Sequence, residues 1–476
     1  MENIKAFAKK LMYAISANAI SLMVSLATTF LLPKFFGDRV DQYGYLQVYL
    51  FYITYTGFFH FGLCDGIYLR DAGKSYDSLD KALYSAQFWL LVLFEGIIAL
   101  AVGLIGVAVG TNDDYRFIWL MIAISIIIVL PRTMIQYFLQ TTNRIKEYST
   151  VITIERAIYG VSLVCIFLGE MVDFRIVVLA DLTAKLLSLC VSIFFVKDII
   201  LTKPCKIQSG LNECKINVSV GSKLMFANIA SMLINGIVQW GIQQNWNVAT
   251  YGKIAFSLNV SNFLLTFISA VAVVLYPTLR RMSFEKLPGI YQTIRSILMI
   301  PLLGCLALYY PIKQLLSAWL PQYADSLHYM AILFPLCIYA AKMTMLVQTY
   351  MNVYRMEKSM LKVNCVGVVV AVLTMAISVF VLNNLTFAMV SIVINQMFRC
   401  IYAELVLSKK IEISVRKDVV LEAILTMAFI LSNWYVGGLS GVGIYFVIYV
   451  VYCIVEKKKI ITMCRFLRGL LHASQA

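Results

Sequence analysis

The sequence predicts an all-α protein that crosses a membrane many times. Of its 476 residues, 61% are hydrophobic and only 14% are charged, and the mean hydropathy is +0.81. A soluble globular domain carries roughly 25% charged residues, so this chain cannot hide its apolar surface in a water-soluble fold. The composition therefore excludes a cytosolic enzyme, a secreted protein and a disordered chain.

The number of apolar stretches predicts about fourteen membrane-spanning helices. A helix that crosses the bilayer core needs about 20 mostly apolar residues. Stretches that meet this requirement run over residues 11–33, 43–68, 82–110, 117–141, 148–169, 174–196, 216–240, 252–278, 290–310, 327–352, 360–382, 385–407, 418–435 and 439–455. The last two stretches are short.

The distribution of Lys and Arg predicts the orientation. If the N-terminus lies inside and basic residues near the ends of spans are counted with the adjoining loops, 28 of the 40 basic residues fall in inside segments, 6 in outside loops and 6 within spans. Because Lys and Arg are retained in the cytoplasm, both termini are predicted to be cytoplasmic. The net charge of +15 then reflects topology, and it does not indicate a nucleic-acid partner.

Two similar segments predict an internal repeat. Residues 17–24 read ANAISLMV and residues 227–234 read ANIASMLI, and Tyr43-Gly44 is matched by Tyr251-Gly252. Since both copies start on the same side, the repeat is parallel, although chance similarity between apolar helices is an alternative. We predict two six-helix bundles related by a pseudo-two-fold axis, plus two C-terminal helices. The boundaries are 1–196 for the N-terminal bundle, 197–215 for a cytoplasmic linker, 216–407 for the C-terminal bundle, and 408–476 for the last helices and a basic tail.

Polar residues follow helical spacing along three of the repeat-related spans. Unpaired amides facing lipid would cost several kcal/mol each, so these faces either pack against neighbouring helices or line a shared water-filled cavity. Their occurrence on three such spans favours the cavity. The stripe residues are Asn18, Ser21 and Ser25 in span one, Asn228, Ser231, Asn235 and Gln239 in span seven, and Asn259, Asn262 and Thr266 in span eight. Tyr52 and Tyr55 in span two either pack or stack on sugar rings.

Basic residues within the spans predict an anionic ligand. A charge at mid-bilayer costs at least ~2.5 kcal/mol, which makes each one a functional candidate. Arg132 with Glu155 and Lys185 with Asp181 fit structural ion pairs, whereas Lys223, Lys342 and Arg399 have no evident local partner. Arg70, Arg280 and Arg281 add charge at inner span ends. Arg and Lys bind phosphate well, so a membrane-anchored phosphate or diphosphate fits. Contact with anionic lipid headgroups is the alternative.

No catalytic, metal or cofactor site is predicted. The segment Gly73-Lys74-Ser75 lacks the preceding glycine of a phosphate loop, because position 68 is Tyr68. The three histidines lie far apart in the sequence. The chain is therefore predicted not to be an enzyme.

The 6+6+2 arrangement of spans, the Tyr-Gly openings and the segment VLYPTLRR at 274–281 resemble the Wzx-type polysaccharide transporters. These flippases of lipid-linked oligosaccharides belong to the multidrug/oligosaccharidyl-lipid/polysaccharide exporter superfamily. The resemblance covers essentially the whole chain, but its motifs are diffuse.

The resemblance implies a central cavity lined by spans one, two, seven and eight in a protein of the bacterial inner membrane. It implies transport by alternating access of an undecaprenyl-diphosphate-linked oligosaccharide, from the cytoplasmic to the outer leaflet, for O-antigen or capsule synthesis. Membrane lipids and the polysaccharide polymerase machinery are implied partners.

On this interpretation, the basic residues recruit the diphosphate and the polar stripes and tyrosines solvate the glycan. The basic set is Lys223, Lys342, Arg399, Arg132, Arg70, Arg280 and Arg281. Candidates for coupling to Na⁺ or H⁺ are Asp65, Glu95 and His60, and Pro131, Pro301 and Pro335 are expected to kink helices that bend.

Two other functions remain open. A multidrug or cation antiporter of the same fold would need acidic cavity residues, and the excess of basic residues in the spans disfavours it. A membrane-bound glycosyltransferase or polymerase would need catalytic acidic or His pairs and a sizeable loop, and neither is evident.

Overall fold

The chain folds into helices that divide into two compact units. The computed structural model describes residues 2–280, 284–285, 287–457 and 459–461, without the side chains of 2–18, 264, 266–278 and 280, and no strand occurs in this part of the chain. The first unit comprises Met1–Ile229 and Val248–Gly252, and the second comprises Ala230–Asn247 and Lys253–Ala476. This confirms the predicted all-α class.

The first unit contains eight helices and the first part of a ninth. They are α1 (Glu2–Phe36), α2 (Val40–Thr56), α3 (Leu63–Asp71), α4 (Lys81–Val109), α5 (Asp113–Thr141), α6 (Ile145–Leu168), α7 (Phe174–Phe195), α8 (Lys197–Ile200) and α9 (Ile207–Asn245). Three of the long helices start at polar N-caps. The side chains of Asp80, Asn112 and Asp173 accept hydrogen bonds from backbone N–H groups of the first turn, which would otherwise lack partners.

The second unit contains the rest of α9 and ten further helices. They are α10 (Val248–Arg280), α11 (Leu287–Cys305), α12 (Tyr309–Trp319), α13 (Ser326–Leu333), α14 (Leu336–Ala341), α15 (Thr349–Val353), α16 (Glu357–Met375), α17 (Leu385–Lys410), α18 (Arg416–Leu431) and α19 (Gly438–Val455). The first residues of α10 belong to the first unit. A π-helical stretch, Lys342–Gln348, connects α14 to α15.

The predicted count of fourteen spans is not confirmed. Among the described residues, eleven helices are long and apolar enough to cross a membrane, or twelve if one bent pair counts as a single span. That pair, Ser326–Leu333 and Leu336–Val353, is bent by 43°. Pro335 lies at the break, as expected of a residue that cannot donate to the helix ladder. Pro131 and Pro301 lie inside continuous helices.

A break in the backbone explains why residues 43–68 do not form one regular span. α2 ends at Thr56, a short 3₁₀ turn follows over Gly57–His60, and α3 begins at Leu63. Phe61 and Gly62 between them have φ angles of +49° and +87°, a left-handed conformation that interrupts a helix. The change of direction depends on backbone angles, so the hydropathy of the side chains does not predict it.

Beyond this break, glycines allow α3 to lie directly against the first part of α9. A Cβ on Gly66 would lie 2.0 Å from the carbonyl oxygen of Asn217, and one on Gly221 would lie 2.0 Å from that of Gly62. Close approach through small residues is the usual way that membrane helices pack without a hydrophobic driving force. At the polar end of this contact, Arg70 donates hydrogen bonds to Glu213 and Asn217 at 2.6 and 2.5 Å.

We expect Gly66→Leu and Gly221→Leu to destabilise the first unit. Either side chain would collide with backbone atoms that cannot rotate away, so overpacking costs about 1–3 kcal/mol or more. The measurement is thermal unfolding of the purified protein in detergent. Gly443→Leu is the matched control, since no atom lies within 4 Å of a Cβ built there. Equal melting temperatures for all three variants would contradict the close contact.

The Tyr-Gly pairs that begin the two repeat-related helices meet inside the first unit. A Cβ on Gly252 would lie 2.7 Å from the Cα of Gly44. Tyr43 and Tyr251 beside them are almost fully buried. The matching dipeptides therefore have a packing role, whereas the repeat itself stays a prediction.

Candidate functional site

Arg399 is a buried basic residue of the second unit. It lies mid-way along α17 and is 7% exposed. Its Nε donates to Oδ1 of Asn364 at 3.0 Å, and one terminal nitrogen donates to the hydroxyl of Ser231 at 2.6 Å. Both partners are neutral, and no carboxylate among the described residues pairs with it. These partners leave the charge of the guanidinium unneutralised, and a planar guanidinium is well suited to phosphate recognition.

Ser231 connects Arg399 to the predicted polar stripe of α9. The next two stripe residues, Asn235 and Gln239, are half-buried, and Oδ1 of Asn235 is buried without a hydrogen-bond partner among the described residues. Buried polar atoms normally have partners, so an unpaired amide oxygen one turn along α9 from Ser231 marks a polar position that a ligand or water can complete. The structure thus brings together Arg399 and one stripe that the sequence predicted separately.

Sequence reasoning missed three amides that extend this region. Asn364 on α16 holds the Arg399 guanidinium. Asn395 and Gln396 precede Arg399 by about one turn on α17, and each is buried with one polar side-chain atom that has no hydrogen-bond partner within the described ranges. Their spacing of three and four residues from Arg399 was the available signal, since such residues share a helix face. We call Ser231, Asn364, Asn395, Gln396 and Arg399 the Arg399 cluster.

The expectation that Lys342 lacks a local partner is wrong. Its side chain is fully buried, and its Nζ donates to Glu422 at 2.7 Å and also pairs with Glu404. Arg295 completes the group, with contacts of 2.8 Å to Glu404 and 2.7 Å to Glu422. Sequence reasoning missed Arg295 and Glu404. We call Arg295, Lys342, Glu404 and Glu422 the buried charge cluster.

The buried charge cluster has a structural role. Two cations and two carboxylates form the centre of the cluster, and Arg295 also lies 3.4 Å from Asp418 at its edge. Tyr291 donates a further hydrogen bond to Glu404 at 2.9 Å. Its members come from α11, α17, α18 and the π-helical stretch, so the cluster fastens four segments of the second unit. Because Lys342 is fully buried and its charge is paired with two carboxylates, a diphosphate cannot reach it, and we do not retain Lys342 as a ligand residue.

Arg132 and Lys185 are paired as the sequence predicted. Arg132 forms an ion pair with Glu155, and both side chains are about nine-tenths buried. Lys185 pairs with Asp181 one turn earlier on α7, and Tyr49 donates to the same carboxylate at 2.8 Å. Arg132 is therefore committed to a structural ion pair between α5 and α6.

The remaining predicted basic residues differ in accessibility. Lys223 on α9 is exposed, and it makes no ion pair with the described part of the chain. Arg70 is exposed but already binds Glu213. Arg281 lies outside the described residues, as do the side chains of Asn18, Thr266 and Arg280.

The other predicted glycan residues are partly accessible. Ser21, Ser25 and Asn259 are half-buried, whereas Asn228 and Asn262 are exposed. Tyr52 and Tyr55 are half-buried within an aromatic group, in which both rings contact Phe51 edge-on at centroid distances of 5.2 and 5.3 Å. Tyr52 also packs against Trp119 at 4.8 Å. Packing is thus part of what these tyrosines do.

The three candidates for ion coupling lie near the break after α2. The backbone N–H of Gly62 donates to Nδ1 of His60 at 3.0 Å, so in the neutral ring Nε2 carries the proton. Nε2 lies 3.8 Å from Oδ2 of Asp65. Glu95 on α4 is fully buried, and neither of its carboxyl oxygens has a hydrogen-bond partner in the described structure. Broken helices often hold coupling ions in transporters.

Solved structures share this architecture, whereas no protein-family model and no curated protein matches the sequence. The lipid II flippase MurJ, in an inward closed conformation, is 14% identical with a TM-score of 0.64, covering 94% of this chain and 100% of that chain. An inward-facing multidrug resistance MATE family transporter of the MOP superfamily is 14% identical with a TM-score of 0.58. The match covers 83% of this chain and 98% of that chain. The chain has the fold of the MOP-superfamily transporters. The eukaryotic MATE transporter AtDTX14 shares the fold at 12% identity and a TM-score of 0.50. The match covers 88% of this chain and 99% of that chain.

The shared fold confirms a polytopic, all-α membrane protein. The three structural neighbours are a lipid II flippase and two MATE transporters. Identities of 12–14% show fold alone, and a substrate has to be argued from the residues of this chain.

Proposed function

We propose that this protein is a Wzx-type flippase of the bacterial inner membrane. In this proposal it moves an undecaprenyl-diphosphate-linked oligosaccharide from the cytoplasmic to the outer leaflet by alternating access, with both termini in the cytoplasm. The product would supply the polymerase machinery that builds O-antigen or capsule. The observation that best supports this proposal is that Arg399 is a buried cation held by neutral side chains, one of which belongs to a polar stripe.

The chemistry of the Arg399 cluster supports a phosphorylated ligand. A guanidinium offers several N–H donors in a planar fork that matches phosphate oxygens, and a low-dielectric surrounding strengthens its attraction for an anion. Ser231 and Asn364 position the guanidinium without cancelling its charge. A cationic drug would be repelled at this position, which favours the flippase over the multidrug antiporter.

We assign recruitment of the diphosphate to accessible cations and its binding to Arg399. Lys223 is exposed on the same helix as Ser231, eight positions earlier. Arg70, Arg280 and Arg281 belong to the same proposed recruiting set. Asparagine, glutamine and serine of the stripes, with Tyr52 and Tyr55, would replace water around the sugar hydroxyls, as amide and hydroxyl groups can both donate and accept.

The proposed coupling ion is a proton carried by Glu95. A buried carboxylate without a partner is far more costly than a neutral carboxyl, so Glu95 is suited to being loaded with a proton in one conformation and releasing it in another. His60 and Asp65, 3.8 Å apart, would form the adjacent relay. A Na⁺ site is the alternative, and it would require several oxygen ligands converging on one point.

We expect Glu95→Gln to abolish the dependence of transport on the proton gradient. Glutamine resembles the protonated carboxyl in shape and cannot release a proton, so the variant should fold normally but transport slowly at every pH. The measurement is flipping of a fluorescent polyprenyl-diphosphate sugar in proteoliposomes with and without an imposed pH difference. Glu155→Gln is an unsuitable control because Arg132 pairs with that carboxylate. Glu357→Gln is the suitable one, since Glu357 is exposed at the start of α16 and makes no ion pair among the described residues. Unchanged gradient dependence in Glu95→Gln would exclude Glu95 as the carrier.

The proposed function is tested by identifying the lipids that co-purify with the protein in mild detergent. Mass spectrometry is expected to show a polyprenyl diphosphate that carries sugars. Bulk phospholipid alone, together with uptake of cationic dyes into proteoliposomes, would instead establish the multidrug antiporter. Incorporation of radiolabelled sugar nucleotide into polymer by the purified protein would establish a glycosyltransferase.

A further inference from the structure

A polar cavity lies at the turn between α17 and α18, and none of its lining residues belongs to the Arg399 cluster. It has a volume of about 600 Å³ and is partly open to the surroundings. Its walls combine apolar side chains with hydroxyls and charges, among them Tyr402, Ser408, Lys409, Glu412, Ser414 and Arg416. The turn that shapes it includes Glu412 with a φ angle of +54°. We call this cavity the α17–α18 cavity.

The charges of the α17–α18 cavity leave its cations free for a ligand. Lys409 and Arg416 are exposed, and neither pairs with a carboxylate in the described ranges. Glu412 is the acidic residue in the wall and is exposed too. With two cations and one carboxylate, the wall has a net charge of +1 and attracts a single anionic group.

The other walls indicate that this anion carries an apolar chain. Leu405, Val406 and Ile413 are half-buried and line the same cavity. α17 and α18 each belong to a helix long and apolar enough to cross a membrane, so the turn between them lies at a membrane surface. Basic residues at that depth contact lipid phosphates while apolar neighbours contact the first methylenes of the chains.

We infer that the α17–α18 cavity is a binding site for an anionic phospholipid, with Lys409 and Arg416 on its phosphate. The site is distinct from the proposed flippase site, since it uses different residues of the second unit, and it would hold even if the transported substrate were not a lipid-linked sugar. Tyr402 and Ser414 supply hydroxyl donors around the headgroup. Free phosphate shares this chemistry but would leave the apolar wall unused.

Native mass spectrometry of the full-length protein, delipidated in detergent and titrated with phosphatidylglycerol, tests the site. We expect one tightly bound phosphatidylglycerol, and a loss of affinity of at least about tenfold in the double variant Lys409→Ala/Arg416→Ala. The matched control is Lys358→Ala/Lys362→Ala, which also removes two exposed cations that make no ion pair among the described residues and should bind normally.

A variant that is expected to tighten lipid binding distinguishes a loss of affinity from misfolding. Glu412→Gln removes the carboxylate from the wall and should tighten phosphatidylglycerol binding by a few-fold, which damage to the fold cannot produce. Equal affinity in the wild type and the double variant would overturn the inference. Equally tight binding of phosphatidylcholine, or full displacement by millimolar inorganic phosphate, would also overturn it, because the site would then not select an anionic lipid.

Discussion

Replacing Arg399 by Met is expected to abolish flipping without reducing stability. Methionine fills a similar volume but has no charge, so the proposed diphosphate loses charge-assisted hydrogen bonds worth about 1.5–3 kcal/mol each. At 1.4 kcal/mol per factor of ten, the loss of one such bond weakens binding roughly 10- to 100-fold. Because the native guanidinium is buried between neutral partners, removing its charge also removes a desolvation cost. The melting temperature should therefore stay the same or rise.

Two variants sharpen this expectation. Arg399→Lys keeps the charge but loses the planar fork, so it should restore only part of the activity. Arg156→Met is the matched control, since Arg156 also lies within a predicted span but is exposed on α6. The measurement pairs complementation of surface polysaccharide export, at equal protein level, with thermal unfolding in detergent. Normal export by Arg399→Met would remove Arg399 from the mechanism.

Replacing Lys342 by Met should have the opposite signature, a large loss of stability. Lys342→Met leaves Glu404 and Glu422 buried, with Arg295 as the remaining cation of the cluster. Removing one member of a buried ion pair typically costs about 3–5 kcal/mol, because a charge is left uncompensated. We expect a strongly lowered melting temperature and a low yield of folded protein.

A charge-balanced double variant tests the cause of that loss. Lys342→Met/Glu422→Leu removes one cation and one carboxylate, and leaves Arg295 with Glu404 at 2.8 Å. It should recover much of the stability that Lys342→Met loses, and the double-mutant cycle measures this coupling. If the double variant is as unstable as the sum of the two single variants, charge balance is not what holds the cluster together.

The two methionine variants distinguish two roles of a buried charge in a span, a structural role for Lys342 and a proposed ligand-binding role for Arg399. Lys342 and Arg399 looked alike in the sequence, as intramembrane cations without a nearby acid. Their surroundings differ, because Lys342 meets a carboxylate 80 residues away, whereas Arg399 meets a serine 168 residues away. Only the packing of distant helices decides which cation is structural.

The parts of the fold that follow from local chemistry could be predicted from the sequence. Runs of apolar residues located most helices, and pairs such as Asp181 with Lys185 could be found because i, i+4 residues share a helix face. The break after α2 could not, since it depends on the left-handed backbone of Phe61, which is not a glycine.

The candidate site could be predicted only in part. The stripe containing Ser231 and the cation Arg399 were both found from their cost in a membrane, but their contact depends on how α9 packs against α17. Asn364, whose amide fixes the guanidinium, carried no signal in the sequence, because a single asparagine in a span is equally typical of helix packing.

The central claim, that Arg399 binds the diphosphate of a lipid-linked substrate, is tested most directly by comparing two ligands. Native mass spectrometry would measure binding of undecaprenyl diphosphate and of uncharged undecaprenol to the wild type and to Arg399→Met. We predict that the wild type prefers the diphosphate by at least about tenfold, and that the variant binds both ligands equally weakly. An undiminished preference for the diphosphate in Arg399→Met would contradict the account.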